Sequence, residues 1–323
     1  MDDLPSPDDL SRFDGFTILT TTYKTVAGHA IATDVLVPKS LTASASPIIL
    51  RYHGGGFITA STLYPGFFQP WYLELAARHS AVIVTPNYRL APEASMDDIF
   101  KDIEDHWAWM RRELPAFVRE ATDGRVNVDL GRVLTAGDSA GGYLGIMMGL
   151  AHADEVRAVT AAYPCVDMAD NHFVKGTAKP PFGMDTPRGV LDEHYEKMRR
   201  GEVPAVVSED AGLARGALML AAIQHGGFAR LFPLAKRHLF PLERLRDGAR
   251  FPRGGVFVWH GQQDSVVPVG GASRLEKVVR EVDPELDFRL TLRDGEHGFD
   301  QHAKLDDAWL EEGLRGPVRA WLE

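Results

Sequence analysis

Ser139 stands in Gly137-Asp138-Ser139-Ala140-Gly141, after the apolar run Arg132–Ala136 and before an apolar stretch with Tyr143, Leu144, Ile146, Met147 and Leu150. The order reads as strand, sharp turn and helix, with a hydroxyl at the apex. A serine hydroxyl is a weak nucleophile at neutral pH, so it needs a base, and the base needs an orienting acid. Both follow downstream. Asp264 comes after the apolar run Gly255–His260, and His297 comes after Leu286–Leu292, where Leu286, Phe288, Leu290 and Leu292 alternate with polar residues. Serine, acid and histidine then all lie past the carboxyl ends of strands, the edge where open α/β sheets bind ligands. The chemistry this predicts is acyl transfer through a serine ester. Asp167 is the rival acid. Among the other histidines, His53 is expected to be a structural hydrogen-bonder and His260 packed. His302 is expected to be solvated, and His79, His106 and His152 to lie at the surface or boundary of helices. Glu296 is expected to be solvated.

A second constellation is His53-Gly54-Gly55-Gly56, which follows the apolar run Pro47–Tyr52. Consecutive glycines let bare backbone N–H groups approach a ligand closely. Two of these groups, joined by the N–H of Ala140, can converge on one oxygen and stabilise a tetrahedral oxyanion. Losing one such donor typically costs about 3–4 kcal/mol.

The elements that must carry these residues are short and apolar. Ile48–Tyr52, Val82–Pro86, Val133–Ala136 and Val156–Ala161 read as strands buried on both faces, which suits a parallel sheet covered by helices. A helix is predicted over Met96–Leu114, where Ile99, Ile103, Trp107, Met110 and Leu114 recur at helical spacing and Ser95 with Asp98 offers a capping box. From Val166 to Arg246 the strand pattern stops, and helical segments appear at Val190–Arg200 and Ala214–His225.

His53-Gly54-Gly55-Gly56, Tyr88-Arg89-Leu90-Ala91-Pro92-Glu93, Gly137–Gly142, Asp264 and Glu296-His297-Gly298-Phe299 together resemble the hormone-sensitive lipase-like carboxylesterases of the α/β-hydrolase superfamily. The resemblance implies an α/β-hydrolase fold in one domain over residues 1–323, with a mostly parallel sheet, helices on both faces and a helical cap. It places the cap in residues 1–20 and an insertion at 166–246. It assigns catalysis to Ser139, Asp264 and His297, and the oxyanion hole to Gly55, Gly56 and Ala140. Phe57, Asp138, Phe173, Phe182, Met184, Leu218, Met219 and Phe228 are the candidate substrate contacts. The segment Tyr88–Glu93 is expected to brace the site, with Arg89 and Glu93 in internal polar contacts. Two stretches depart from the family pattern: Ala94–Asp97 after Glu93, and Ser265–Pro268 after the acid.

The implied activity is hydrolysis of short- to medium-chain carboxylic esters without cofactor or metal. Lactone opening, acyl release and dehydration are the alternatives on the same scaffold, and a non-catalytic small-molecule receptor is a further one. The net charge of −10 argues against a nucleic-acid partner. Cys165 is the single cysteine, so no disulfide can form within the chain, and buried filler is its expected role. No apolar run approaches the length of a membrane span. The start, Met1-Asp2-Asp3-Leu4-Pro5, has neither the basic nor the apolar region of a signal peptide. A cytoplasmic monomer or homodimer is expected.

Overall fold

In the computed structural model, which describes residue 6, residues 8–41 and residues 45–323, the apolar runs expected to be strands all become part of one eight-stranded sheet. β1 (Phe16–Val26) and β2 (His29–Pro38) form an antiparallel hairpin at one edge. β3 (Ser46–Tyr52), β4 (Val82–Pro86), β5 (Val128–Gly137), β6 (Ala158–Ala162), β7 (Val256–Gly261) and β8 (Phe288–Arg293) are mutually parallel. The spatial order is β1-β2-β4-β3-β5-β6-β7-β8. The chain steps from β3 outward to β4 and then returns to the other side of β3 as β5. That reversal opens a crevice between the ends of β3 and β5, where such sheets bind ligands. The glycine run follows β3 and Ser139 follows β5.

Successive strand residues feed two cores. Ile48, Leu50, Val82, Val84, Val256 and Val258 face one, while Ile49, Ile83, Phe257 and Trp259 face the other. α1 (Pro70–Arg78) and α11 (Ala308–Leu322) cover the second face with Trp71, Leu75, Leu310 and Trp321. The first face is covered by α2 (Met96–Arg112), α3 (Leu114–Ala121), α4 (Ala140–Ala151) and α10 (Gly270–Val282). Burial on both faces explains the continuous apolar runs of the central strands. The capping box on α2 is present: Ser95 Oγ accepts from Asp98 N at 3.2 Å, and Asp98 Oδ2 accepts from Ser95 N at 3.0 Å.

Between β6 and β7 the chain forms α5 (Asn171–Val174), α6 (Arg188–Arg199), α7 (Gly216–Gln224), α8 (Phe228–Leu231) and α9 (Pro241–Arg246). α5 to α8 pack on one another, whereas α9 packs on α4 and α10. The N-terminal part of the expected cap is different. Residues 16–20 lie in β1, because Phe16–Val26 pairs along its length with β2. Residues 1–5 and 7 lie outside the described residues. The turn Leu10–Phe13 is tied down by Arg12, whose Nη1 donates to the carbonyls of Pro65 (2.8 Å) and Phe68 (2.5 Å). No described helix is long and apolar enough to cross a membrane.

Candidate active site

Between β5 and α4 the backbone turns so tightly that Ser139 is held at φ 56°, ψ −118°. A non-glycine residue there typically costs on the order of 1–3 kcal/mol. The surroundings enforce it: Ser139 N donates to Ala162 O at 2.9 Å, and Tyr143 N donates to Ser139 O at 3.1 Å. A Cβ on Gly137 would meet the Gly141 carbonyl, and one on Gly141 would meet the carbonyls of Tyr52 and His53. The flanking glycines are therefore steric requirements of packing the elbow against β3.

Asp264 lies in the loop after β7 with its side chain fully buried. Its Oδ1 accepts from Val266 N (2.9 Å) and Val267 N (2.7 Å), and its Oδ2 lies 2.8 Å from His297 Nδ1. An ionised carboxylate only accepts, so the Nδ1 proton points at Asp264 and Nε2 is left as the basic nitrogen. Burial disfavours both charges, yet the pair overrides it: His297 is raised above its ordinary value by Asp264, and Asp264 is held far below the usual carboxylate range by His297 and His260.

Two neighbours of this pair were not apparent from the sequence. His260, expected to be packed, is fully buried, and its Nε2 lies 3.0 Å from Asp264 Oδ2 and 2.9 Å from Val267 O. Glu296 is not simply solvated. Its Oε1 accepts from Ser265 N (2.5 Å) and His297 N (2.8 Å), clamping the acid loop to the base loop.

The glycine run turns back on itself, with Gly55 at φ +95° and Gly56 at φ +61°, where only glycine is unstrained. Gly55 O accepts from Ile58 N and Thr59 N, both at 3.0 Å. Among the described residues, nothing accepts from the N–H of Gly55 or Gly56. Ala140, as the first residue of α4, has no intrahelical acceptor for its own N–H. His53 is structural: it is buried, its Nδ1 lies 2.8 Å from Gly54 O, its ring stacks on Tyr88 at 4.4 Å, and burial lowers its pKa to about 3.

Ser139, His297, Gly55 and Gly56 line one cavity of about 820 Å³. Phe57, Asp138, Phe173, Phe182, Met184, Met219 and Phe228 line it as well. Leu218 does not; it is buried in the core. On α7 the cavity side is Gly216, Ala217, Met219, Leu220 and Ile223, and helical geometry turns Leu218 away from it. Asp138, although at the cavity, is already paired with Arg51 at 2.8 Å, both side chains being buried. Asp167 pairs with Arg274 on α10. Tyr163 is an unforeseen lining residue; its ring lies 4.5 Å from that of His297, and its hydroxyl accepts from Gln69 Nε2 at 2.9 Å. Cys165 is buried and also reaches the cavity, with burial pushing its thiol up. His302 is exposed at the cavity lining, and His106 is fully buried against Thr33 Oγ1 (3.0 Å) instead of at a helix surface.

The model of a family described as having the alpha/beta hydrolase fold matches residues 49–199. A probable carboxylesterase, M8 of a Phoma species, is 30% identical over 317 residues, covering 94% of this chain and 96% of that protein. The non-reducing polyketide synthase Preu6 of Preussia isomera is 29% identical over 94% of this chain, which spans only 14% of that synthase. The crystal structure of esterase B from Lactobacillus rhamnosis superposes with a TM-score of 0.61 at 18% identity, covering 99% of this chain and 87% of that one. That last likeness is one of fold.

Proposed function

Because the chain belongs to the hormone-sensitive lipase-like carboxylesterase family of the α/β-hydrolase superfamily, we propose that Ser139, His297 and Asp264 hydrolyse carboxylic esters through an acyl-enzyme. The chain is a carboxylesterase-type hydrolase acting on ester bonds; the proposal concerns its residues, steps and substrates. Ser139 Oγ attacks the ester carbonyl while His297 Nε2 takes its proton. The carbonyl oxygen, now an anion, rests on the N–H groups of Gly55, Gly56 and Ala140. His297 returns the proton to the departing alkoxide. Water then attacks the acyl-enzyme with His297 again as base, and the acid leaves as Ser139 recovers its proton. Asp264 holds the tautomer and stabilises the imidazolium. The steps call on no cofactor. The observation that carries the reading is the 2.8 Å His297–Asp264 contact beside Ser139 and the unused glycine N–H groups in one cavity.

The cavity walls favour apolar short- to medium-chain acyl or alcohol groups. Residues 166–246, apart from α9, which packs on α4 and α10, act in this reading as a cap that excludes water and shapes the pocket. The likeness to Preu6 supports a second reading, an acyl-releasing hydrolase of natural-product metabolism. The net charge of −10 fits a protein without a nucleic-acid partner, and the lone buried cysteine fits a reducing, cytoplasmic location.

The test is hydrolysis of p-nitrophenyl esters of increasing acyl length by the wild type and by Ser139→Ala. The variant should lose on the order of 10⁶ in turnover. Equal rates in the two proteins would remove Ser139 from the mechanism. Tight ligand binding by the wild type without turnover would turn the reading to a receptor.

A further inference from the structure

We propose that Arg215 is a positioning residue that sets the glycine run of the oxyanion hole from the far side, although it touches neither substrate nor cavity. The inference rests on the esterase reading. Arg215 lies immediately before α7. Its Nε donates to Ile58 O at 2.7 Å, its Nη2 donates to Ala91 O at 2.7 Å, and Nη1 and Nη2 bind the two oxygens of Glu93 at 3.0 and 2.5 Å. One planar group thus grips two loops. The loops also grip each other, since Ala91 N donates to Phe57 O at 2.7 Å.

The grip falls where it matters for geometry. Ile58 N closes the turn onto Gly55 O, so the peptides of Ile58 and Gly55 move together. A second tie runs beside the first. Asp210 Oδ2 accepts from Thr59 Oγ1 (2.6 Å) and from Arg215 N (2.7 Å), and Asp210 N donates to Ala60 O (2.8 Å). One turn along α7, Met219 presses on Gly56: a Cβ placed there would lie 2.7 Å from Met219 Cγ. Residues 57–60, directly after the two oxyanion glycines, are therefore fastened to residues 210–219 through both backbone and side chain.

The Arg215–Glu93 pair is mostly dry, with side-chain exposures of 15% and 3%. Burial opposes the Glu93 charge, yet His194 and Arg215 bring its pKa down to about 2. An ordinary buried ion pair would matter for stability alone. A positioning role makes a different prediction, because a displacement of about 1 Å in a catalytic donor can cost about 10²-fold in rate.

The experiment compares Arg215→Ala, Arg215→Lys and Thr59→Val with the wild type. It measures kcat and KM on a p-nitrophenyl ester, inhibition by a trifluoromethyl ketone whose adduct oxygen occupies the oxyanion hole, and thermal unfolding. For folded Arg215→Ala, kcat should fall about 10²-fold with KM within about threefold. Ketone affinity should fall in parallel with kcat, and added guanidinium should recover part of the loss. Lysine, whose three N–H groups sit on one nitrogen and cannot span the four acceptors that Arg215 holds, should rescue poorly. If Arg215→Ala does not fold, Thr59→Val carries the test, with an expected loss of about tenfold in kcat. Wild-type kcat and ketone affinity in the folded variant would overturn the inference and leave the esterase reading intact. A wild type without Ser139-dependent turnover would overturn both.

Discussion

The rim of the cavity and its wall are built on opposite terms. At the rim, Ser139 and the glycine run occupy positive-φ backbone pressed against neighbouring backbone, so that Gly137 and Gly141 have no room for a single methyl group. At the wall, the segment from α5 to α8 presents Phe173, Phe182, Met184, Met219 and Phe228, and the cavity-lining Gly216 could take a Cβ without meeting any atom within 4 Å, although away from the cavity Gly176 and Gly226 of the same segment are packed on backbone carbonyls. The rim places its groups by backbone geometry, which tolerates almost no substitution. The wall shapes its cavity by side-chain volume, which can drift. Apart from the tie of residues 57–60 to residues 210–219, substitutions in the two regions should therefore fail differently, in chemistry at the rim and in selectivity at the wall.

Short of removing the nucleophile itself, the largest effect should come from the rim's electrostatics. Asp264→Asn preserves shape but removes the charge that orients and raises His297, and should lower kcat by about 10⁴. It should also move the pH profile. In the proposed mechanism His297 must be neutral to accept the serine proton, and its value is raised, so the acid limb of kcat/KM in the wild type should lie above pH 6.5. Without the carboxylate that limb should shift to lower pH. The stability signs run oppositely for the two partners. The depressed Asp264 contributes above its unfolded value and loses that contribution as the pH falls. The raised His297 contributes at low pH and loses it as the pH rises through its folded value. Parallel pH–rate profiles of the two proteins decide the matter, and an unmoved limb would assign it to a group other than His297.

Gly141→Ala tests the rim's packing rather than its charge. The new methyl would land on the carbonyls of Tyr52 and His53, which belong to the end of β3 and cannot move without opening the sheet. Overpacking of this kind typically costs 1–3 kcal/mol, and more where backbone must move, so a loss of about 3 kcal/mol is expected in denaturant titration, with turnover reduced even in the folded fraction.

The same contrast explains what the sequence made legible. The candidate Ser–acid–His set and the glycine run were readable because the proposed acyl transfer demands those residue types at strand ends. β3 to β7 were readable as apolar runs because the sheet is covered on both faces there, and the edge strand β8 by its alternation of apolar and polar residues. β1 and β2 escaped notice: Phe16–Val26 is threonine-rich and half-exposed along an edge hairpin, and its tight turn at Ala27-Gly28 lacks the Asn-Gly or Asp-Gly pair that marks such turns. Arg215, Glu296 and His260 escaped because their partners are either distant in sequence or fixed only by loop closure. Leu218 was misassigned for another reason. α7 is apolar on nearly every side, so periodicity gave no phase, and only its docking on the glycine run turned Met219 inward.

Met219→Ala should sharpen the view of the wall. Shortening this side chain opens space directly beside Gly56 without touching Ser139 or His297. Selectivity from a few methylenes is worth about 1–3 kcal/mol. The ratio of kcat/KM for branched over straight acyl p-nitrophenyl esters should therefore rise about tenfold, with short-ester kcat little changed. A uniform fall in kcat across all esters would instead show that Met219 holds the glycine run in place, merging wall and rim at this point.

The smallest effect belongs to Gly216→Ala, and its sign is informative. Gly216 opens α7 at negative φ, its N–H is bonded to Leu213 O at 2.9 Å, and an added Cβ meets nothing within 4 Å. Replacing a glycine whose conformation alanine can adopt removes freedom from the unfolded chain and stabilises by about 0.4–1 kcal/mol. The variant should therefore unfold at slightly higher denaturant concentration and hydrolyse short esters at the wild-type rate. Because Gly216 also lines the cavity, the methyl takes up a little of its volume, and a loss confined to the bulkiest esters would mark how far substrates reach along α7. A stability loss of the size expected for Gly141→Ala would mean that the wall is as tightly specified as the rim, and the separation of chemistry from selectivity would fail.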